Sequence, residues 1–173
     1  LPDHLNATLN GLLKDYLQSV SATMMNERFD EILHESNPPF VYAEAYDGDY
    51  MIAKTKGAWT VAAVAKEGEI DNALTTLVKE TERIKKYGFT ESEYERARIN
   101  VLKQYESSFN ERDKQRNSSY TQEYVNHFTD GGYIPGIETE YELINKIAPE
   151  ITVEQVNRYI RDIIRDNNIV IGL

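Results

Sequence analysis

The strongest constraint on the fold is a change of hydrophobic period at Pro38-Pro39. Ahead of the prolines, apolar residues recur at steps of three and four, which is the spacing of one helix face. The members of this stripe are Leu5, Leu9, Leu12, Leu13, Tyr16, Val20, Met24 and Ile32. Each proline restricts its own backbone and that of the residue before it, so helix should end near residues 35–39. The pattern predicts one long helix, or two abutting helices, at the start.

Beyond the prolines the pattern alternates, as a β-strand requires. One side of this segment carries Phe40, Tyr42, Glu44 and Tyr46, and the other carries Val41, Ala43 and Ala45. Small and β-branched residues continue the strand-like composition as far as residue 65. The predicted strands are 40–46, 50–55 and 58–65, separated by predicted turns at 47–49 and 56–57. Together they predict an antiparallel meander.

The helical period returns after residue 69 and is punctuated by capping signals. Three Thr residues are each followed three positions later by Glu or Gln, the capping-box spacing. These pairs are Thr90 with Glu93, Thr139 with Glu142, and Thr152 with Gln155. The predicted helices are 70–87, ended by Gly88, 90–109, 120–128, 139–147 and 152–163, with a polar break over 110–119.

The last six residues, 168–173, have the composition of a closing strand. Three strands, several helices and a final strand predict an α+β fold in which an antiparallel sheet has helices packed on one face. A chain of 173 residues with 40% hydrophobic content is expected to form a single domain, residues 1–173. Since it begins Leu1-Pro2-Asp3 and runs at once into a helical pattern, we expect it to be a fragment of a larger polypeptide; processing of a mature protein is the alternative explanation.

Charge argues against two classes of partner. The formal net charge is −10, and the basic residues are interspersed with acidic ones. Such a surface repels phosphate backbones and anionic lipid headgroups, so neither nucleic acid nor membrane is a predicted partner. No apolar run approaches the roughly 20 residues that span a bilayer.

The histidines are too few and too scattered for a familiar zinc site. The chain has no cysteine, and His4, His34 and His127 cannot share one helix as H-E-x-x-H or H-x-x-E-H motifs require. His34 lies beside Glu35, but Pro38 stands where a second histidine would be needed. We therefore predict no metal ligand and no catalytic residue in this chain.

Four segments carry a family resemblance through their joint order and spacing. They are residues 25–32 (MNERFDEI), 40–43 (FVYA), 88–97 (GFTESEYERA) and 151–156 (ITVEQV). The chain resembles the second domain of one half of the pitrilysin/insulinase family of zinc metallopeptidases, relatives of mitochondrial processing peptidase. The resemblance implies a processing-peptidase-like α+β domain.

In that family an H-x-x-E-H helix and a distant Glu bind zinc in the first domain of a half, and the second domain is usually metal-free. Two halves close around a chamber that holds the peptide. In the opposing half, an Arg and a Tyr seven residues apart bind the substrate carbonyl. Here Tyr42 matches the tyrosine, but Glu35 stands seven residues before it. A carboxylate there would oppose a developing oxyanion.

The resemblance therefore implies the non-catalytic second domain of the zinc-bearing half of a bacterial zinc metalloendopeptidase. The chain alone is predicted to be inactive, with zinc in the preceding domain of the parent protein. Its expected partners are that zinc-bearing domain, the opposing half and a peptide substrate. The bacterial periplasm is favoured over the cytoplasm.

Two residues are candidates for substrate binding, Tyr42 and Arg28, each with a structural alternative. Tyr42 could be a buried structural tyrosine, and Arg28, amid Asn26, Glu27 and Asp30, could form a surface or cap-region ion pair. Two functional alternatives also stand beside the peptidase domain. One is a structural or docking subunit of the same fold without proteolysis, and the other is a peptide-binding module with an exposed strand edge.

Overall fold

The computed structural model describes residues 3–50, 53–114 and 135–172, together with Thr121, Tyr124, Val125 and Phe128. The fold is mixed α+β, as predicted. In chain order the elements are α1 (Asp3–Leu33), β1 (Phe40–Tyr50), β2 (Ala53–Ala65), α2 (Ile70–Tyr87), α3 (Glu91–Asn110), a 3-10 turn (Arg112–Lys114), α4 (Ile137–Ile147), a second 3-10 turn (Ala148–Glu150) and α5 (Val153–Ile163). No helix in the described ranges combines the length and apolar character that crossing a membrane requires.

The chain forms two compact units. The first unit comprises Leu1–Tyr16 and Arg98–Ile151, and the second comprises Leu17–Ala97 and Thr152–Leu173. That the whole chain is a single domain stays a prediction.

In the first unit, an aromatic cluster joins the end of α3 to the start of α4. The rings of Phe109 and Tyr141 stack with centroids 4.7 Å apart. The guanidinium of Arg112 lies 4.3 Å above the Phe109 ring and bonds Glu138 at 3.1 Å. Nearby, burial first, and then the charges of Glu140 and Asp15, raise the pKa of Tyr105 to about 12.

The sheet of the second unit is one long antiparallel hairpin, so the predicted three-stranded meander is wrong. Among the described residues β1 pairs only with β2, and Asp49 pairs with Gly57 where turns were expected. Glycine usually weakens a strand, but Gly48 lies within the ladder, directly opposite Ala58. Cross-strand pairing therefore overrides the local turn preference, and the ladder of paired residues ends at Tyr50 and Ala53.

A register shift between Phe40 and Tyr42 sends these two side chains to different environments. Phe40 is fully buried and meets Phe29 of α1 edge to face, with ring centroids 6.1 Å apart. Strict alternation had placed Phe40 beside Tyr42, which is instead 51% exposed. Ala43 and Ala45 form the buried side of β1, as their shared parity suggested.

Two asparagine side chains each form hydrogen bonds with both the amide and the carbonyl of one distant residue. Asn26 of α1 accepts from the amide of Ala45 at 2.7 Å and donates to its carbonyl at 3.1 Å. Asn157 of α5 does the same for Phe89, at 2.7 Å and 3.0 Å. Buried backbone groups are costly when they are left unpaired, so these hydrogen bonds stabilise the packing of the two helices. Asn26 holds α1 against the hairpin, and Asn157 holds α5 against residues 88–90, which we call the α2–α3 corner.

Two of the three predicted capping boxes are present. Thr90 and Glu93 exchange backbone-to-side-chain bonds of 2.7 Å and 3.3 Å at the start of α3, and Thr152 and Gln155 do so at the start of α5. The third prediction is wrong, because α4 begins at Ile137 and Thr139 lies within its first turn. Gly136, at φ 79°, takes the capping position there instead.

The predicted closing strand is also wrong over its described part. Residues 169–172 have no regular structure, and Ile169, Val170 and Ile171 are exposed. β-branched composition favours a strand only where a neighbour completes the ladder, and no described residue pairs with this segment. Of the helix predicted over 120–128, the described Thr121, Tyr124, Val125 and Phe128 are helical; the rest lies outside the described residues.

Replacing Gly88 with Ala is expected to destabilise the chain more than the same change at Gly68. Both glycines have positive φ, 75° and 78°, so both substitutions strain the backbone. A Cβ on Gly88 would lie 2.6 Å from the side chain of Asn157, whereas one on Gly68 meets nothing within 4 Å. We expect G68A to cost about 1 kcal/mol and G88A about 2–3 kcal/mol in the free energy of unfolding. Urea unfolding measures both, and equal losses would contradict the role given to Asn157.

Candidate functional site

Arg28 lies at a buried junction between α1 and the α2–α3 corner. Its Nε and Nη2 atoms donate to the two carboxylate oxygens of Glu93 at 2.6 Å and 3.1 Å, a bidentate arrangement. Nη2 also donates to the carbonyl of Gly88 at 3.3 Å, and the guanidinium lies 4.9 Å above the ring of Phe89. Only 7% of the residue is exposed. An ion pair at the surface or in a cap region was the structural alternative for Arg28, and the arginine of the pair that forms is buried.

Two carboxylates share this junction, that of the buried Glu80 and that of the half-buried Glu93. Glu80 of α2 places its carboxylate 3.8 Å from Nη1 of Arg28 and 3.4 Å from Nη1 of Arg83. Burial alone would raise the pKa of Glu93. The bonds from Arg28 and from both the amide and hydroxyl of Thr90 outweigh burial and lower that pKa to about 2. One carboxylate thus closes the α3 capping box and neutralises Arg28.

Tyr42 occupies a different setting, on the outward face of the hairpin. Its hydroxyl donates to Oε2 of Glu44 at 2.7 Å, a bond that raises the pKa of the Tyr42 phenol. Tyr46, next on the same face, is 36% exposed. This outer face of β1 consists of Tyr42, Glu44 and Tyr46, which the alternating pattern already placed on one side.

The structure does not bring the two candidate substrate-binding residues together through any shared contact. The polar contacts of Arg28 are with Glu80, Gly88 and Glu93. That of Tyr42 is with Glu44. Substrate contact stays a prediction for both residues, and Tyr42 is the one whose surroundings leave its side chain accessible.

An open, mostly acidic groove lies along α1. Its lining consists of Glu27, Asp30, Glu31, His34 and Arg96. Nδ1 of His34 donates to the carbonyl of Asp30 at 2.6 Å, and Arg96 pairs with Glu27 at 3.4 Å. Within the described part of the chain, no three His, Cys, Asp or Glu side chains are placed to hold a metal ion.

The chain is similar in sequence and in fold to zinc proteases. No protein-family model matches the chain. A curated "Zinc protease PQQL-like" protein of Arabidopsis thaliana is 26% identical over 151 residues, which cover 85% of this chain and 13% of that protein. The periplasmic protease PqqL of Escherichia coli matches with a TM-score of 0.76 and 14% identity, over 90% of this chain and 17% of PqqL.

A separate structure of the first half of PqqL also matches, with a TM-score of 0.76 and 12% identity, over 90% of this chain and 33% of that one. The resemblance to the pitrilysin/insulinase-type zinc proteases is confirmed. It extends over a part of such a protease, because the chain spans only a small share of each relative's length.

Sequence reasoning missed the two asparagines and Glu80. Asn26 and Asn157 lie within helical patterns, where nothing local marks them as partners of distant backbone groups. Glu80 lies in the polar run Lys79-Glu80-Thr81-Glu82, which is typical of a solvated helix face. Glu44 was detectable, since it shares parity with Tyr42 and Tyr46.

Removing the Arg28 side chain is expected to destabilise the chain strongly. An Arg28→Ala change leaves Glu80 and Glu93 without their buried cation, which costs about 3 kcal/mol or more. Arg96→Ala is the matched control, because Arg96 is 53% exposed and its pair with Glu27 is worth less than about 1 kcal/mol. Chemical unfolding at neutral pH gives both values. Similar losses for the two variants would show that Arg28 is not the anchor of this junction.

Lowering the pH should reduce the free energy of unfolding, in part because Glu93 becomes protonated. Its folded pKa of about 2 lies below its ordinary value of 4.5, so the stability it contributes is present above pH 4.5 and is lost as pH falls towards 2. A Glu93→Gln variant lacks this contribution. The free energy of unfolding should therefore fall more steeply between about pH 5 and pH 2 in the unaltered chain than in E93Q. Parallel curves for the two proteins would contradict the assignment.

Proposed function

We propose that the chain is a non-catalytic domain of a zinc-dependent metallopeptidase that packs against a zinc-bearing domain and helps form a closed chamber for peptide substrates. Two observations together support this proposal. The chain is homologous to a zinc protease, and its described part has no cluster of metal-ligating side chains. Zinc and the general-base glutamate would then lie in a preceding domain of the parent protein.

The match to the first half of PqqL supports placement beside the zinc-bearing domain. In this proposal the opposing half of the parent enzyme completes the chamber. PqqL is a periplasmic protease, which supports the periplasm as the compartment of the parent protein.

The hairpin supports a role in facing substrate. Its inner side, with Ala43 and Ala45, is covered within the second unit, while Tyr42 and Tyr46 are exposed on the other side. A pleated face that carries tyrosines and a carboxylate suits an extended peptide, because aromatic rings offer apolar contact and the hydroxyl a polar one. Tyr42 is therefore our proposed substrate-facing residue. Arg28 would act indirectly, by holding α1 to the α2–α3 corner.

The isolated chain is expected to bind no stoichiometric zinc and to hydrolyse no peptide. Metal analysis of residues 1–173 after zinc exposure and gel filtration tests the first point, and a quenched fluorescent peptide library tests the second. The comparison arm is the full-length polypeptide, which is expected to contain H-x-x-E-H upstream and to show chelator-sensitive cleavage.

Two outcomes would count against the proposal in different ways. Zinc-dependent cleavage by residues 1–173 alone would overturn the non-catalytic assignment. A full-length polypeptide that lacks an H-x-x-E-H motif and cleaves nothing would favour a structural or docking subunit of the same fold.

A further inference from the structure

The outer face of β1 places one carboxylate between two tyrosines. Side chains two apart on a strand share a face and are separated by about 7 Å, so Tyr42 and Tyr46 flank Glu44 on either side. Both tyrosines reach solvent, at 51% and 36% exposure. The Tyr42 hydroxyl donates to Oε2 of Glu44, which orients the carboxylate and leaves Oε1 free of that bond.

Glu44 has no cation of its own among the described residues. None of the ion pairs recorded there includes it. Its neighbours across the hairpin are uncharged, with Ala62 directly opposite and Val64 and Thr60 opposite the two tyrosines. The carboxylate charge is therefore unbalanced locally, in contrast to those of Glu80 and Glu93, which Arg28 neutralises.

We infer that Tyr42, Glu44 and Tyr46 form a subsite for the cationic side chain, Lys or Arg, of an extended peptide. This inference rests on the proposed function, in which the hairpin faces substrate. Aromatic ring faces attract cations, and a hydrogen-bonded carboxylate between two rings adds the opposite charge. An apolar side chain would bury the Glu44 carboxylate without a countercharge, and an acidic one would be repelled. The net charge of −10 adds attraction at long range.

The test uses the full 173-residue chain and three capped peptides built from Thr, Ser and Gln, which differ only in a central Lys, norleucine or Glu. Isothermal titration or fluorescence anisotropy gives the affinities up to millimolar peptide. The Lys peptide should bind about tenfold more tightly than the norleucine peptide, and the Glu peptide should bind most weakly. Glu44→Gln should remove the preference for Lys, and Tyr46→Leu should reduce it.

Glu31→Gln is the matched control, because it changes the net charge equally at an exposed position in the acidic groove on α1. It should leave the tenfold preference in place. Equal effects of E44Q and E31Q would overturn the subsite in favour of general charge attraction. Binding of all three peptides with equal affinity would overturn the subsite but leave the proposed function standing. No binding of any peptide would overturn the subsite and remove the hairpin face from the proposed function.

Discussion

The ion pair between the buried Arg28 and the half-buried Glu93 is the interaction on which the second unit depends. It joins a residue late in α1 to the first turn of α3, across 65 positions of sequence. Two charges removed from water must be well matched to repay their desolvation. Here the match is bidentate, and Thr90 supplies further donors to the carboxylate. The same guanidinium covers Phe89 and bonds Gly88, so one side chain secures the whole α2–α3 corner.

This anchoring determines which face of the hairpin is left open. Asn26, two residues before Arg28, holds Ala45 of β1, while Phe29, one residue after it, packs on Phe40. A short stretch of α1 thus contacts both the α2–α3 corner and the inner side of the hairpin. The outer face carries the two tyrosines and the Glu44 carboxylate, which has no ion pair among the described residues, and it is the side that we propose for another molecule. Position on a rigid scaffold is what makes such a face useful for recognition.

Part of this arrangement was predictable from sequence because its causes are local. The period of α1, the boundary at Pro38-Pro39 and the capping boxes at Thr90 and Thr152 all depend on residues within a few positions of each other. A three-stranded meander was predicted in place of the two-stranded hairpin, since the segments around Gly48 and Gly57 read as turns until the two strands are paired. The prediction of a closing strand was wrong for a related reason, because composition alone does not show whether a neighbouring strand is there to pair with it.

The candidate site also has a part that was predictable from sequence and a part that was not. Parity placed Tyr42, Glu44 and Tyr46 on one face, but nothing local said that this face is the exposed one. The small Ala43 and Ala45 on the other face were the available hint, since small residues allow close approach of a helix. Burial of Arg28 was not predictable from its polar neighbours in α1, because the groups that bury it come from residues 80–93. Only tertiary structure reveals that the expected surface arginine is internal.

A double-mutant cycle between Arg28 and Glu93 tests the account most directly. The free energies of unfolding of R28A, E93Q, the double variant and the unaltered chain give the coupling between the two side chains. If the pair anchors the second unit, the coupling energy at neutral pH should be about 2 kcal/mol or more. A coupling near zero would contradict the account.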